Sequence, residues 1–215
     1  MRALMTSCDV IGTMADVFVL RDGYGHEDET GTYRANCTIS LIKCPAMKIN
    51  VLVDTGSPWD RDFLVAKLTE HCLTPDDVTH VVGTHGHVDH IGNLNLFTSA
   101  THIVSHDIVS RGDRYTLHDF RLDNPYRIAE SPRIDVIPTP GHTGRDVSVL
   151  VRAHDEENVL IAGDLFENER DLTDEKLWKD NSECPEIQAE SRRRVLEFAD
   201  WIIPGHGRKF RVVKK

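Results

Sequence analysis

Short apolar runs alternate with polar turn segments along most of the chain, and this pattern predicts many short β-strands. Runs rich in Val, Ile and Leu, bounded by Gly, Pro, Asn or Asp, are typical of strands with at least one buried face. A turn at Cys44 to Ala46 predicts that the second and third strands form a hairpin. Strands are expected at Ala15 to Leu20, Ala35 to Lys43, Lys48 to Val53, Val78 to Val82, Thr101 to Ser105, Arg133 to Thr139, Asp146 to Arg152, Asn158 to Ala162 and Trp201 to Pro204.

Two longer segments, Asp60 to Cys72 and Glu186 to Asp200, have the spacing of amphipathic helices. The positions expected to be buried are Phe63, Leu64, Leu68 and Cys72 in the first and Ile187, Val195, Leu196 and Ala199 in the second. The polar segments Asp22 to Gly31 and Arg111 to Pro132 are expected to be exposed loops. Strands followed by alternating helices and strands predict two sheets with helices packed outside, in a single domain over residues 1–215.

The stretch Thr84 to His90 contains four metal-binding side chains within six residues: His85, His87, Asp89 and His90. Side chains alternate along an extended chain, so His85 and His87 point the same way. Neutral imidazole is the commonest metal ligand. Two imidazoles beside an Asp-His pair therefore predict two metal ions a few ångströms apart. The alternative interpretation is a run of surface histidines in a loop.

Three later strand ends carry one further ligand type each: His142, Asp164 and His206, all preceded by glycine. Each alone is more often structural than a ligand. Together they recur at the same place in the predicted sheets, and binding residues gather on loops at one edge of a rigid scaffold. Asp54, which ends the third strand, is either part of a plain turn or a support for the histidine loop.

Composition restricts the class of protein. Of 215 residues, 40% are hydrophobic and 28% charged, and the formal net charge of −10 opposes non-specific nucleic-acid binding. The five cysteines form no C-x-x-C pair, and Met1 to Leu20 has no signal-peptide pattern. No apolar run approaches the ~20 residues that cross a bilayer. We therefore expect reduced thiols, a cytoplasmic and nuclear location and no membrane association.

The motif H-x-H-x-D-H, followed by the three later ligand types, resembles the metal site of the metallo-β-lactamase superfamily. The resemblance implies an α/β (α+β) fold, the αββα sandwich. Ligands of mixed N and O type suit two Zn²⁺ ions, and Mn²⁺ or Fe²⁺ also fit them. By resemblance, one metal takes His85, His87 and His142, a second takes Asp89, His90 and His206, and Asp164 bridges both.

The implied chemistry is hydrolysis by two metal ions. Ions ~3.5–4 Å apart would hold a bridging water and lower its pKa towards ~7, and the hydroxide would attack a phosphodiester or a thioester. Asp89 would bind the second metal and orient the hydroxide, which makes it the catalytic residue. The proton donor to the leaving group is not identified; His26 and His118 are candidates by loop position.

An aspartate at position 164 is similar to glyoxalase II-like thioesterases and to RNA-processing nucleases, whereas lactamases of the fold usually carry Cys or Ser there. A closer match with one animal branch of the superfamily runs through Val53 to Trp59, Gly83 to Leu94 and Ala162 to Glu167. It implies a homodimeric di-zinc endoribonuclease of histone pre-mRNA 3′-end processing. Two alternatives stay open: a thioester hydrolase, which the net charge favours, and a non-catalytic metal-binding protein.

Single-stranded RNA is the expected partner, and positive charge and aromatic residues near the predicted ligands are candidates for binding it. Arg145 follows His142, and a basic segment from Arg208 to Lys215 follows His206, although such a segment is more often simply solvated. Arg192, Arg193 and Arg194 cannot share one helical face, since consecutive positions are ~100° apart. Aromatic side chains that would stack on bases are Tyr24, Trp59, Tyr115, Tyr126 and Phe166, with Trp59 equally a core residue.

Overall fold

The computed structural model describes residues 15–152 and 157–214. The segment 1–14, which contains Cys8 and in which we expect no signal peptide, lies outside the described residues, as does Lys215. The strands are β1 (Asp16–Arg21), β2 (Tyr24–Glu27), β3 (Tyr33–Asn36), β4 (Ile39–Cys44), β5 (Ile49–Val53), β6 (His80–Gly83), β7 (Thr101–Val104), β8 (Asp107–Ser110), β9 (Arg114–Thr116), β10 (Tyr126–Glu130), β11 (Arg133–Pro138), β12 (Val147–Arg152), β13 (Asn158–Gly163), β14 (Trp201–Pro204) and β15 (Phe210–Arg211). The α-helices are α1 (Arg61–Glu70), α2 (Val88–Ile91), α3 (Lys176–Lys179) and α4 (Pro185–Phe198).

Two mixed sheets face each other and carry helices on their outer faces, which confirms the αββα sandwich. One sheet has the order β1-β4-β5-β6-β7-β8-β9 and the other β10-β11-β12-β13-β14-β15. Within the first, β5, β6 and β7 are parallel, and within the second β13 and β14 are parallel. The predicted hairpin of β4 and β5 is present. Among the described helices, none has the length and apolarity that a bilayer crossing requires.

Successive side chains along a strand point to opposite faces of its sheet, so the apolar ones are divided between the core between the sheets and the layers under the helices. In β5, Val51 and Val53 pack between the sheets, whereas Leu52 packs under α1 with Leu64 and Leu68. Each fully buried side chain of this kind contributes about 1.5–3 kcal/mol relative to exposure. In the second sheet, Leu160 likewise packs outward, against the α4 side. Strands buried on both faces are apolar throughout, which is why their positions could be predicted from short runs.

The structure corrects several expectations. Asp22 to Gly31 is largely exposed, as expected, but it is not all loop. It contains β2, which pairs with β3 in a two-stranded ribbon outside both sheets. Ala35 to Lys43 is divided between β3 and β4, and Arg111 to Pro132 contains all of β9 and β10. These strands are polar and largely exposed, so no apolar alternation marked them.

Two residues expected to be buried are exposed, Cys72 and Ile187. Cys72 lies beyond the end of α1 and has a φ of 58°. Helix α4 is rotated so that Gln188, Ser191 and Arg192 face inward beside Val195. Each of the three donates a hydrogen bond to a backbone carbonyl group, which offsets part of the cost of burial.

Candidate metal centre

Three imidazoles from two segments, one that follows β6 and one between β11 and β12, converge on one point. His85 Nε2 lies 2.9 Å from His87 Nδ1, and His142 Nε2 lies 3.1 Å from the same atom. His85 follows β6, and His142 lies in the turn between β11 and β12. Ring nitrogens that approach one another this closely have the arrangement of ligands around one tetrahedral metal ion.

Asp89, His90 and His206 form a second group beside the first. Asp89 Oδ2 lies 3.9 Å from His90 Nε2 and 3.8 Å from His206 Nε2. Asp89 and His90 belong to the short helix α2, which begins at Val88. The first helical turn therefore aims both side chains at the centre.

The Asp164 carboxylate lies between the two groups. Its Oδ2 is 3.3 Å from His142 Nε2 and 3.3 Å from His206 Nε2, whereas its Oδ1 is 3.2 Å from His90 Nε2. The carboxylate therefore faces ring nitrogens of both groups. A Cβ at Gly205 would lie 1.8 Å from Asp164 Oδ1, so only glycine leaves room for the carboxylate here.

Buried polar atoms at this point fit a cation. Asp89 Oδ2, His90 Nε2 and Asp164 Oδ1 are buried and have no hydrogen-bond partner within the described part of the chain, although such atoms are normally paired. Burial raises the pKa of Asp164, but the surrounding imidazoles of His90, His206 and His85 hold it well below its usual range. The donor set is therefore a buried anion among imidazoles, and divalent metal ions would satisfy it.

Asp54 supports His90 from behind. It follows β5 with a φ of 61° and accepts hydrogen bonds from Thr84 N–H at 2.8 Å and from His90 Nδ1–H at 2.8 Å. A metal-binding histidine usually donates its other N–H in this way, which fixes its ring orientation. Of the two interpretations left open by the sequence, the structure favours support of the histidine loop.

The β2–β3 ribbon performs the same task for His206. The Nδ1–H of His206 donates to the carbonyl oxygen of Tyr24 in β2 at 3.1 Å and to that of Asn36 in β3 at 3.2 Å. Nε2 is thereby left facing Asp164. The ribbon, which the sequence did not predict, therefore helps to build the centre.

The loop that carries His142 is fixed by Asp146. This carboxyl accepts backbone N–H bonds from Gly141 at 3.0 Å and Thr143 at 2.7 Å, and burial raises its pKa to about 6. Gly141 has a φ of 138°, and a Cβ there would lie 2.3 Å from the backbone of Gln188. Gln188 in turn donates to the Asp164 carbonyl oxygen at 2.9 Å. Helix α4 thus holds two ligand-bearing segments together.

Two residues of the site wall were missed as functional candidates. Glu167 is buried, its Oε2 lies 4.0 Å from His206 Nε2, and burial and the Asp164 charge raise its pKa to about 8. Tyr33 lines the same cavity as Glu167, and burial and that carboxylate raise the pKa of its phenol. The only sequence signal was the position of Glu167 three residues after Asp164.

Other sequence candidates lie elsewhere. Phe166 is fully buried and Tyr126 packs against the core between the sheets, so neither is available for base stacking. Trp59 is 82% exposed and is not a core residue. In the basic segment after His206, Arg208, Arg211 and Lys214 are paired with Asp22, Glu157 and Asp200, respectively.

One cavity reaches the predicted ligands, and another lies along the loop that carries His142. One of about 520 Å³ borders the His142 loop and is lined by Gly144, Arg145 and His118. Another of about 430 Å³ is lined by His206 and Glu167, with His26 at its edge. The two histidines considered as proton donors thus lie in different cavities.

The sequence of residues 32–206 matches the profile of the Metallo-beta-lactamase superfamily. Metallo-beta-lactamase domain-containing protein 1 of Xenopus laevis is 44% identical over 212 residues, which cover 99% of this chain and 88% of that protein. The Homo sapiens protein of the same name is 48% identical over 166 residues, covering 77% of this chain and 60% of that protein.

Solved structures share the fold. A putative metallo-beta-lactamase from Thermotoga maritima superposes with a TM-score of 0.67 at 19% identity, covering 92% of this chain and 99% of the other. An N-acyl homoserine lactone hydrolase, with its product bound at the catalytic metal center, gives 0.63 at 19% identity over 86% of this chain and 88% of the other.

Proposed function

Because the chain belongs to the metallo-beta-lactamase superfamily, we propose that this metallo-hydrolase is a di-zinc endoribonuclease that cleaves single-stranded RNA. The family and the convergence of imidazoles and carboxylates support metal-dependent hydrolysis. The resemblance to an RNA-processing branch of the superfamily supports the choice of substrate.

The observation that carries the proposal is that one cavity is lined by the predicted ligand His206 and another by Gly144 and Arg145, which follow His142 in its loop. The cavity of about 520 Å³ borders the loop of His142, and that of about 430 Å³ is lined by His206. A small ester needs one such cavity beside the reacting bond. A polymer continues on both sides of the bond that is cut, so it occupies both.

Bound metal ions would polarise the phosphoryl oxygen and activate the attacking water. The seven predicted ligands would hold them: His85, His87, Asp89, His90, His142, Asp164 and His206. The chain's own part in the reaction is positional. Asp54 and the ribbon carbonyl groups hold His90 and His206 with Nε2 facing the centre. Asp89 has its buried Oδ2 directed at the same point, where it would orient the attacking water.

The test is a comparison of substrates with metal-loaded protein. We expect cleavage of a labelled single-stranded RNA, loss of cleavage on chelation and recovery on adding Zn²⁺, with S-lactoylglutathione left intact. Hydrolysis of S-lactoylglutathione without RNA cleavage would identify a thioesterase instead. Protein that holds two metal ions and hydrolyses neither of these nor a generic phosphodiester would be a non-catalytic metal-binding protein.

Assembly and location belong to the same proposal. The resemblance supports a homodimer that acts in the cytoplasm and nucleus. Light scattering should give twice the mass of one chain at micromolar concentration, and the mass of a single chain would contradict the dimer.

A further inference from the structure

The cavity beside the His142 loop contains polar groups that the metal centre does not use. Its walls include His106, Tyr115, Phe120 and Arg145, and its volume is about 520 Å³. Arg145 lies three residues after His142, so their Cα atoms are at most ~11 Å apart. The cavity is therefore close enough to the metal centre to hold a neighbouring part of the same substrate.

His106 is held in place by an aromatic contact. Its ring stacks on Phe120, with the centroids 4.7 Å apart and the planes inclined by 21°. Its Nε2 is buried and has no hydrogen-bond partner in the described ranges of the chain. Burial and the neighbouring Arg145 lower the pKa of His106, so the ring is neutral at pH 7 and retains one N–H donor. A buried ring nitrogen without a partner points to a ligand, and in the Nε2–H tautomer this nitrogen is a donor.

Arg145 supplies positive charge at the same cavity. Its side chain is exposed and makes no ion pair with any described residue. Two aspartates, Asp107 and Asp119, also line the cavity, and Asp119 is paired with Arg121 at 3.6 Å. The backbone of Arg145 is fixed, because Asp146 binds the preceding Gly141 and Thr143. A guanidinium on a rigid loop is suited to phosphate oxygens.

An aromatic surface completes the cavity. Tyr115 on β9 is 68% exposed although it lines the same space. Stacking of a base on an exposed aromatic ring is worth ~1–3 kcal/mol in single-strand binding and tolerates any sequence.

We propose that this cavity is a nucleotide subsite, in which Arg145 and the Nε2–H of His106 bind a phosphate next to the scissile one and Tyr115 stacks on the adjoining base. The inference rests on the proposed function and deepens it. Because the bound phosphate does not react, loss of these groups weakens RNA binding more than it slows the chemical step.

The test uses metal-loaded Arg145→Ala and His106→Phe, the second of which keeps the ring stack and removes Nε2. Arg152→Ala is the matched control, because Arg152 is exposed and lies at the opposite end of β12, ~17 Å along the strand. Cleavage of single-stranded RNA is compared with hydrolysis of bis(p-nitrophenyl) phosphate, which has no neighbouring phosphate.

We expect each subsite variant to raise the KM for RNA about tenfold, with a much smaller effect on the small diester and on kcat. The dependence of log Kd on log salt should become shallower by ~0.7 for Arg145→Ala, as for one lost phosphate contact. Arg152→Ala should match wild type. If wild type cleaves RNA but Arg145→Ala and Arg152→Ala have equal KM values for it, the subsite is overturned and the proposed function stands. Wild type that hydrolyses the small diester and not RNA would overturn the proposed function and the subsite with it.

Discussion

Asp54 Oδ2 lies 2.8 Å from Nδ1 of His90, and both side chains are buried at the junction of β5 and α2. The other oxygen of Asp54 accepts the backbone N–H of Thr84. One carboxylate therefore joins the end of β5 to the start of the histidine cluster. It also fixes the tautomer of His90, because a carboxylate accepts a hydrogen bond and cannot donate one. Nδ1 of His90 therefore carries the proton.

Asp54→Asn should weaken metal binding without unfolding the protein. Asn tolerates the φ of 61° and can still accept from Thr84, but its amide group presents N–H to His90 Nδ1. The imidazole must then place its proton on Nε2, the atom that faces the centre. We expect a ~10–100-fold loss of Zn²⁺ affinity at the Asp89–His90–His206 group, measured by competition with a chelator.

The control for that measurement is Asp62→Asn, since the Asp62 side chain is 94% exposed on α1. It should bind metal as wild type does. Unchanged affinity in folded Asp54→Asn would show that the Asp54–His90 bond does not position the ligand.

Arg192 should matter for stability, although its sequence neighbours do not. Its guanidinium donates to the carbonyl oxygen of Leu165 at 2.7 Å, pairs with Asp171 at 3.3 Å and lies 4.0 Å from the centre of the Phe166 ring. Arg192→Met leaves Asp171 buried without its cation, which should cost about 3–5 kcal/mol in free energy of unfolding. Urea denaturation measures this.

Arg193→Ala is the matched control, because Arg193 is the next residue on α4 and, among the described residues, forms its ion pairs with the surface residues Glu190 and Glu197. Surface pairs of this kind contribute ~0–1 kcal/mol. Similar losses of unfolding free energy for the two variants would contradict the conclusion that Arg192 joins α4 to the segment after Asp164.

Cys37 should resist alkylation in the folded protein. Burial raises the pKa of its thiol to about 12, and the thiolate is the reactive form. At pH 8 the reactive fraction is therefore negligible, whereas the exposed Cys72 reacts. Iodoacetamide labelling followed by peptide mass spectrometry measures both sites. Equal labelling of Cys37 and Cys72 before unfolding would contradict the buried position.

The convergence of the candidate ligands could be predicted from sequence because each lies at the end of a strand or next to a motif of a few residues. His85 to His90 are local in sequence, and parallel strands bring Asp164 and His206 to one edge. The support for these ligands could not be predicted in the same way. The carbonyl groups that hold His206 belong to a polar ribbon without apolar alternation, and the inward position of Arg192 depends on how α4 packs. Glu167 approaches His206 only through the tertiary fold.

The most direct test is the RNA cleavage rate of Asp164→Asn. The Asp164 carboxylate lies within 3.5 Å of ring nitrogens from both ligand groups, so its charge would offset two cations and fix their separation. Asn keeps the size and one oxygen but loses the anion. If Asp164 were only a turn cap, Asn would serve nearly as well.

Circular dichroism and elemental analysis accompany the measurement, to confirm folding and to count bound metal. Wild type should carry close to two metal ions per chain, and folded Asp164→Asn should carry fewer and cleave RNA at least ~100-fold more slowly. Wild-type cleavage by the folded variant would contradict a di-metal centre bridged by Asp164.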